Sequence, residues 1–120
     1  MAHFAKIENN IVTQVIVIDN KDCGDVEFPE SESIGQGFIA SIELTGEWKQ
    51  TSYNNNFRKK FAGIGDEYHQ ELNAFVTPKY FNSWTLDTIE CVYKSPVEKP
   101  TDGKYIWDEE QLNWINVNSL

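Results

Sequence analysis

Residues that bind metals or perform catalysis are scarce in this chain: two cysteines, two histidines and one methionine among 120 residues. No CxxC and no Cys/His ligand spacing surrounds Cys23 or Cys91, so the pattern of a structural zinc site is missing. Two buried free thiols in a reducing cytoplasm are expected over a disulfide, with pairing of the two left open. Neither His3 nor His69 sits in an H-E-x-x-H motif, and no serine lies in a G-x-S-x-G elbow. His3 is expected at a mobile terminus and His69 on an exposed loop, its pKa raised by Asp66, Glu67 and Glu71. Gly63-Ile64-Gly65 lacks the third glycine of a dinucleotide site and reads as strand glycines. The acids Asp19, Asp22, Asp25, Glu27, Glu30 and Glu32 miss the spacing of a calcium loop and read as a solvated segment. Asp87, Asp108, Glu109 and Glu110 could supply a glycosidase pair, but the first two have turn roles. The expectation is therefore a protein that is not an enzyme and carries no metal and no cofactor.

Positive charge is also in deficit. Ten Lys and Arg stand against nineteen Asp and Glu, a formal net charge of −9, which opposes approach to phosphate backbones and anionic lipid. No nucleic-acid partner and no membrane partner are expected. The one basic cluster, Arg58-Lys59-Lys60, is flanked by Phe57 and Phe61, and basic residues among aromatics can bind single strands, yet within so acidic a chain it reads as a solvated strand edge or a complement to the protein's own acidic segment. No apolar run approaches the roughly 20 residues of a membrane span. Met1 to Lys6 lacks the layout of a signal peptide, so synthesis and retention in a cytoplasm are expected.

What the chain does have is apolar and aromatic side chains, 40 % and 13 % of residues, enough to offset the entropy of ordering one domain over residues 1–120. Its C-terminal third repeats itself. Trp84-Thr85-Leu86-Asp87 and Tyr105-Ile106-Trp107-Asp108 match at a constant offset. In each copy an aromatic, Tyr93 or Trp114, follows six positions after the Asp. Aromatic and apolar residues alternate with polar ones around a short polar break that begins with Asp, whose carboxylate accepts backbone N–H bonds two residues on. This is the pattern of two tandem β-hairpins over residues 81–118. Trp107 and Trp114 are expected opposite one another. The linker 95–104, with Pro96, Pro100 and Asp102-Gly103, reads as an extended surface connection.

Upstream, residues 1–19 read as another hairpin: a strand over 3–7, a break at Glu8-Asn9-Asn10, and a second strand over 11–18 dense in β-branched residues. Strict alternation puts Ile11, Val15 and Val17 on one face of that strand and Val12, Ile16 and Ile18 on the other. Ile34, Phe38, Ile39 and Ile42 recur at helical spacing, with Ser33 and Gln36 in capping-box relation, so one short helix is expected over residues 31–44, weakened by Gly35 and Gly37. Central strands follow over 47–80, with Trp48 and Tyr53 buried and a turn at Asn54-Asn55-Asn56. The fold class is mainly β, a β-rich α+β arrangement of antiparallel hairpins with one short helix. Trp48 and Trp84 are assigned to the core. Tyr105, Trp107 and Trp114 stand between core and an exposed contact surface, where stacking on a carbohydrate ring is also open.

The residues also resemble a known group. Met-Ala-His-Phe-Ala-Lys-Ile at the start, Glu8-Asn9-Asn10-Ile11-Val12-Thr13-Gln14-Val15-Ile16-Val17, Trp48-Lys49-Gln50-Thr51-Ser52-Tyr53-Asn54, Phe61-Ala62-Gly63-Ile64-Gly65, Trp84-Thr85-Leu86-Asp87 and Asp102-Gly103-Lys104-Tyr105-Ile106-Trp107-Asp108-Glu109 are similar to small proteins of marine tailed bacteriophages, including cyanophages. The tandem Trp-Asp hairpins resemble segments of phage tail and tail-fibre-associated proteins. Asn55 to Lys60 is shorter than the glycine-rich insertion of such proteins. The resemblance implies a virion structural protein, a β-rich capsid or tail module synthesised in the host cytoplasm. The alternative is a non-virion phage protein, a tail-fibre assembly factor or an inhibitor of a host protein. It carries no catalytic residues. Other virion proteins or further copies of the chain are the partners it implies, and Tyr105, Trp107 and Trp114 are the expected contact residues. One helix can cover only one face of the N-terminal sheet, so the C-terminal hairpins or another chain are expected to cover the second.

Overall fold

In the computed structural model, which describes residues 1–120, the chain forms two compact units, Met1–Thr77 and Pro78–Leu120. Both are built from antiparallel sheets, and the chain holds one α-helix, so the mainly β class with a single short helix is observed.

The first unit grows from the hairpin of β1 (Ala2–Glu8) and β2 (Ile11–Ile18). Asn9 and Asn10 both have positive φ, 53° and 64°, the conformation that a two-residue hairpin turn requires and that Asn tolerates. β3 (Glu47–Thr51) lies along the other side of β1. Two short strands, β4 (Glu67–His69) and β5 (Ala74–Val76), extend the sheet past β2, giving the order β3-β1-β2-β4-β5. The register slips between Lys6 and Ile7: Lys6 pairs with Gln14 and Ile7 with Val12. Thr13 is therefore an extra residue in β2, a bulge that reverses the alternation. The faces expected from strict alternation are corrected accordingly. Val12 joins Val15 on one face, while Ile16 and Ile18 lie on the other.

The helix α1 (Glu30–Ser41) covers the face carrying Phe4, Ile18 and Trp48. It buries Ser31, Gly35 and Ile39, one stripe at four-residue spacing. The capping box is not formed: Pro29 is the N-cap, and Gln36 Nε2 donates to the Trp48 carbonyl at 2.7 Å. At Gly35 the helix backbone comes close to the sheet. A Cβ built there would lie 2.3 Å from Phe4 Cζ and 3.0 Å from Cys23 Sγ, so only glycine admits the fully buried Phe4 ring, whose burial contributes about 1.5–3 kcal/mol.

The second face is covered from within the same unit. Ala62, Tyr68 and Phe75 pack with Ala5, Ile7 and Val12, so neither the hairpins nor another chain is needed for this core. Residues 57–65, within the span expected to form central strands, form a loop in which Arg58 and Lys59 have positive φ of 55° and 71°. The Arg58 carbonyl accepts the Phe75 N–H at 3.1 Å, and its Nη1 donates to the Gln50 carbonyl at 3.0 Å. One residue thus bonds to both outer strands, β3 and β5.

Gly35 and Gly37 differ in a testable way, since a Cβ at Gly37 would meet nothing within 4 Å. Gly37→Ala is expected to stabilise the protein by up to about 1 kcal/mol through helix propensity. Gly35→Ala should destabilise it, because overpacking costs about 1–3 kcal/mol. Urea denaturation measures both, and effects of the same sign would contradict this packing.

Candidate interaction site

The C-terminal unit consists of two hairpins, β6 (Thr85–Asp87) with β7 (Val92–Lys94) and β8 (Tyr105–Asp108) with β9 (Asn113–Asn116). Their registers are equivalent, Leu86 opposite Tyr93 and Trp107 opposite Trp114. Their turns are equivalent too. Asp87 Oδ1 accepts the N–H groups of Ile89 and Glu90, each at 2.9 Å, and Asp108 Oδ1 accepts those of Glu110 and Gln111 at 3.0 and 3.1 Å. Each loop closes through a left-handed residue at the same place, Cys91 at φ 59° and Leu112 at φ 52°. The carboxylate fixes the turn and the left-handed residue returns the chain to its partner strand.

The hairpins bring together three tryptophans. Trp107 and Trp114 meet edge to face at 5.3 Å between ring centroids, and Trp84 lies 5.9 Å from Trp107 and 6.0 Å from Trp114. Phe81 adds a fourth ring 5.4 Å from Trp84. Edge-to-face geometry sets ring edges against π faces, worth about 0.5–1.5 kcal/mol per pair beyond the area buried. Glu109 secures the group: it accepts from Trp107 Nε1 at 2.8 Å, Ser83 Oγ at 2.6 Å and Ser83 N at 3.0 Å. The Ser83 hydroxyl, followed by the Trp107 indole, holds its carboxyl below the usual range. Trp114 Nε1 donates to the Val97 carbonyl at 2.8 Å, and Lys99 Nζ lies 5.4 Å from that ring's centroid. Tyr105 donates to Asp102 at 2.9 Å. The linker 95–104 is thus tied to the hairpin it precedes. Trp84 Nε1 is the one buried side-chain polar atom with no partner.

No protein-family model, curated protein or solved structure matches this chain.

The structure brings Trp107 and Trp114 together and sets Tyr105 at the start of β8, the strand that carries Trp107. Trp107 is only 9 % exposed, while Tyr105 and Trp114 are half-buried. The last two are the members with surface to offer. Trp84 and Glu109 belong to the same cluster. The repeat offset that aligns Trp84 with Tyr105 points to the former, whereas the reach of Glu109 back to Ser83 has no local signal.

In the N-terminal unit the two histidines and the basic cluster meet neighbours of their own. His3 lies in β1, stacked on Tyr53 and edge-on to Phe61, rather than at a free terminus. Burial, then the terminal ammonium, lowers its pKa. Tyr53, expected inside, is 66 % exposed. His69 lies between Glu67 Oε1 at 2.8 Å and Glu71 Oε1 at 3.2 Å. Burial opposes its charge, but the bonds to both carboxylates outweigh this and raise its pKa. The basic cluster meets acids of its own unit: Arg58 pairs with Glu32 and Lys60 with Asp66. A polar cleft of about 330 Å³ is lined by His3, Ser31, Gln50, Ser52, Asn54 and Phe57, among others. No three His, Cys, Asp or Glu side chains gather in a way that could hold a metal ion, and both cysteines are free and buried.

The position of Trp107 at the centre of the cluster sets its mutational effect. Trp107→Ala is expected to cost the C-terminal unit about 3–5 kcal/mol, and Trp114→Ala less, because that ring keeps solvent on one side. Denaturation followed by near-ultraviolet circular dichroism would show this, and an unchanged transition for Trp107→Ala would contradict it.

Proposed function

We propose that this protein is a small structural component of a tailed-phage particle, a β-rich module attached to capsid or tail. The observation that carries the reading is the duplicated Trp-Asp hairpin, in which register, Asp-capped turn and left-handed residue recur together. Polar groups there are occupied in fixing turns and aromatic rings, as suits a rigid platform for contact. The resemblance of the same hairpins, and of segments along the whole chain, to proteins of marine tailed phages gives the particle as the setting.

In this reading the contact surface is the outer side of the aromatic cluster. Tyr105 and Trp114 touch a neighbouring virion protein, and Trp107 supports them from within. Half-buried aromatics whose polar ends are already bonded lose little conformational freedom on docking, which is why such residues anchor interfaces. Stacking on a glycan would use the same faces.

Mass spectrometry of purified particles is the direct test. The protein is expected among the structural components, with incorporation reduced by Trp114→Ala and the isolated variant still folded. Absence from particles, with the protein abundant in infected-cell lysate, would overturn the assignment in favour of an assembly factor or an inhibitor of a host protein.

A further inference from the structure

The two long edges of the N-terminal sheet are treated differently. On β3 the outward N–H and C=O of Gln50 are occupied, the N–H by Glu32 Oε2 at 2.7 Å and the C=O by Arg58 Nη1 at 3.0 Å. On β2 only the end nearest the turn is paired. Asn10 and Val12 exchange backbone bonds with Gly65, Asp66 and Tyr68, and the sole β2–β4 register pair is Ile11 with Glu67. From the bulge at Thr13 to Ile18 no strand lies alongside.

The register identifies the groups left open. Because Gln50 faces away from β1, its partner Phe4 directs its backbone groups to β2, and His3 and Ala5 direct theirs to β3. Phe4 pairs with Ile16, and Ala5 and His3 with Val15 and Val17. Ile16 therefore bonds to β1, while the N–H and C=O of Val15 and of Val17 point outward. No hydrogen bond within the protein reaches them. Val17 is also 50 % exposed.

We propose that this edge pairs with the same edge of a second copy, antiparallel about a two-fold axis through Ile16. That register sets Val15 of one copy against Val17 of the other, and each such pair exchanges two backbone bonds. Four bonds form from one self-complementary strip. The valines, which share a face, continue across the junction. Charge favours this occupant. β2 carries no charged residue in a chain of net −9, so the strips meet without like charges opposed, whereas edges kept apart usually carry a lysine, a proline or a covering bond. The bond from Glu32 and Arg58 supplies that cover on β3 alone. This contact lies in a different unit from the aromatic surface above and does not depend on it.

Sedimentation velocity on the intact chain, from micromolar to millimolar concentration, tests the pairing. A monomer–dimer equilibrium is expected. Val15→Pro removes an outward N–H at an edge where proline is tolerated, together with a partly buried valine side chain, and should weaken the dimer about thirtyfold through two lost bonds. Val17→Lys places a charge on the strip and should weaken it similarly, with the melting temperature kept. A wild-type monomer at every concentration would overturn the proposal. So would a dimer that persists in both variants, or one abolished by Trp114→Ala alone, since that would put the contact on the hairpins.

Discussion

One guanidinium holds the N-terminal unit together. The Arg58 side chain is 7 % exposed and lies over the Phe28 and Tyr68 rings, with Cζ 5.0 and 5.8 Å from their centroids. Its nitrogens together reach three parts of the unit: both terminal nitrogens donate to Glu32 in the helix, one of them also to the Gln50 carbonyl of β3, and Nε to Asn73 Oδ1 beside β5 at 2.8 Å. A cation taken out of water to this extent is tolerable only when paired and fully hydrogen-bonded. Helix, outer strands and the loop between them must therefore come together for Arg58 to be satisfied. The same bonds close the edge of β3 to strand addition, so the residue that organises the core also decides which edge stays open.

The C-terminal unit meets a different constraint. A segment of about 40 residues cannot bury a conventional core without help. Here the help is a cluster of four rings, Trp107 and Trp114 from the second hairpin and Phe81 and Trp84 from the segment that leads into the first. Large rings give contact area for few rotatable bonds, and the Asp-capped turns fix the register that brings them together. Packing and presentation then fall to neighbouring residues of one strand pair, with Trp107 inside and Tyr105 and Trp114 at the surface.

Features specified by neighbouring residues were legible in the sequence. Asn9-Asn10 marks a hairpin because Asn tolerates the left-handed conformation, the two turn aspartates because their carboxylates accept from their own backbone, and the alternation on either side of the second turn sets Trp107 against Trp114. The helix was legible from the spacing of its apolar residues, but Gly35, which reads as a weakness, owes its place to Phe4 on a distant strand. The Thr13 bulge has no local signature and reverses the faces of β2. Phe57 to Gly65 falls within the span read as central strands, yet Arg58 and Lys59 take left-handed conformations there, and Arg58 is held by its tertiary bonds. Of the candidate site, the three aromatics were legible and their division into inside and outside was not, because alternation does not say which face is wet.

The dependence of the first unit on Arg58 is measured most directly by a double-mutant cycle with Glu32, followed by urea denaturation with Trp48 fluorescence isolated by replacing the other tryptophans with phenylalanine. Arg58→Ala should cost about 3–5 kcal/mol, the loss expected when one partner of a buried pair is removed. The double variant Arg58→Ala, Glu32→Ala should cost little more than the worse single change, a coupling of about 2 kcal/mol or more. Two single losses below about 1 kcal/mol that simply add would be the behaviour of a surface ion pair, and would contradict the account.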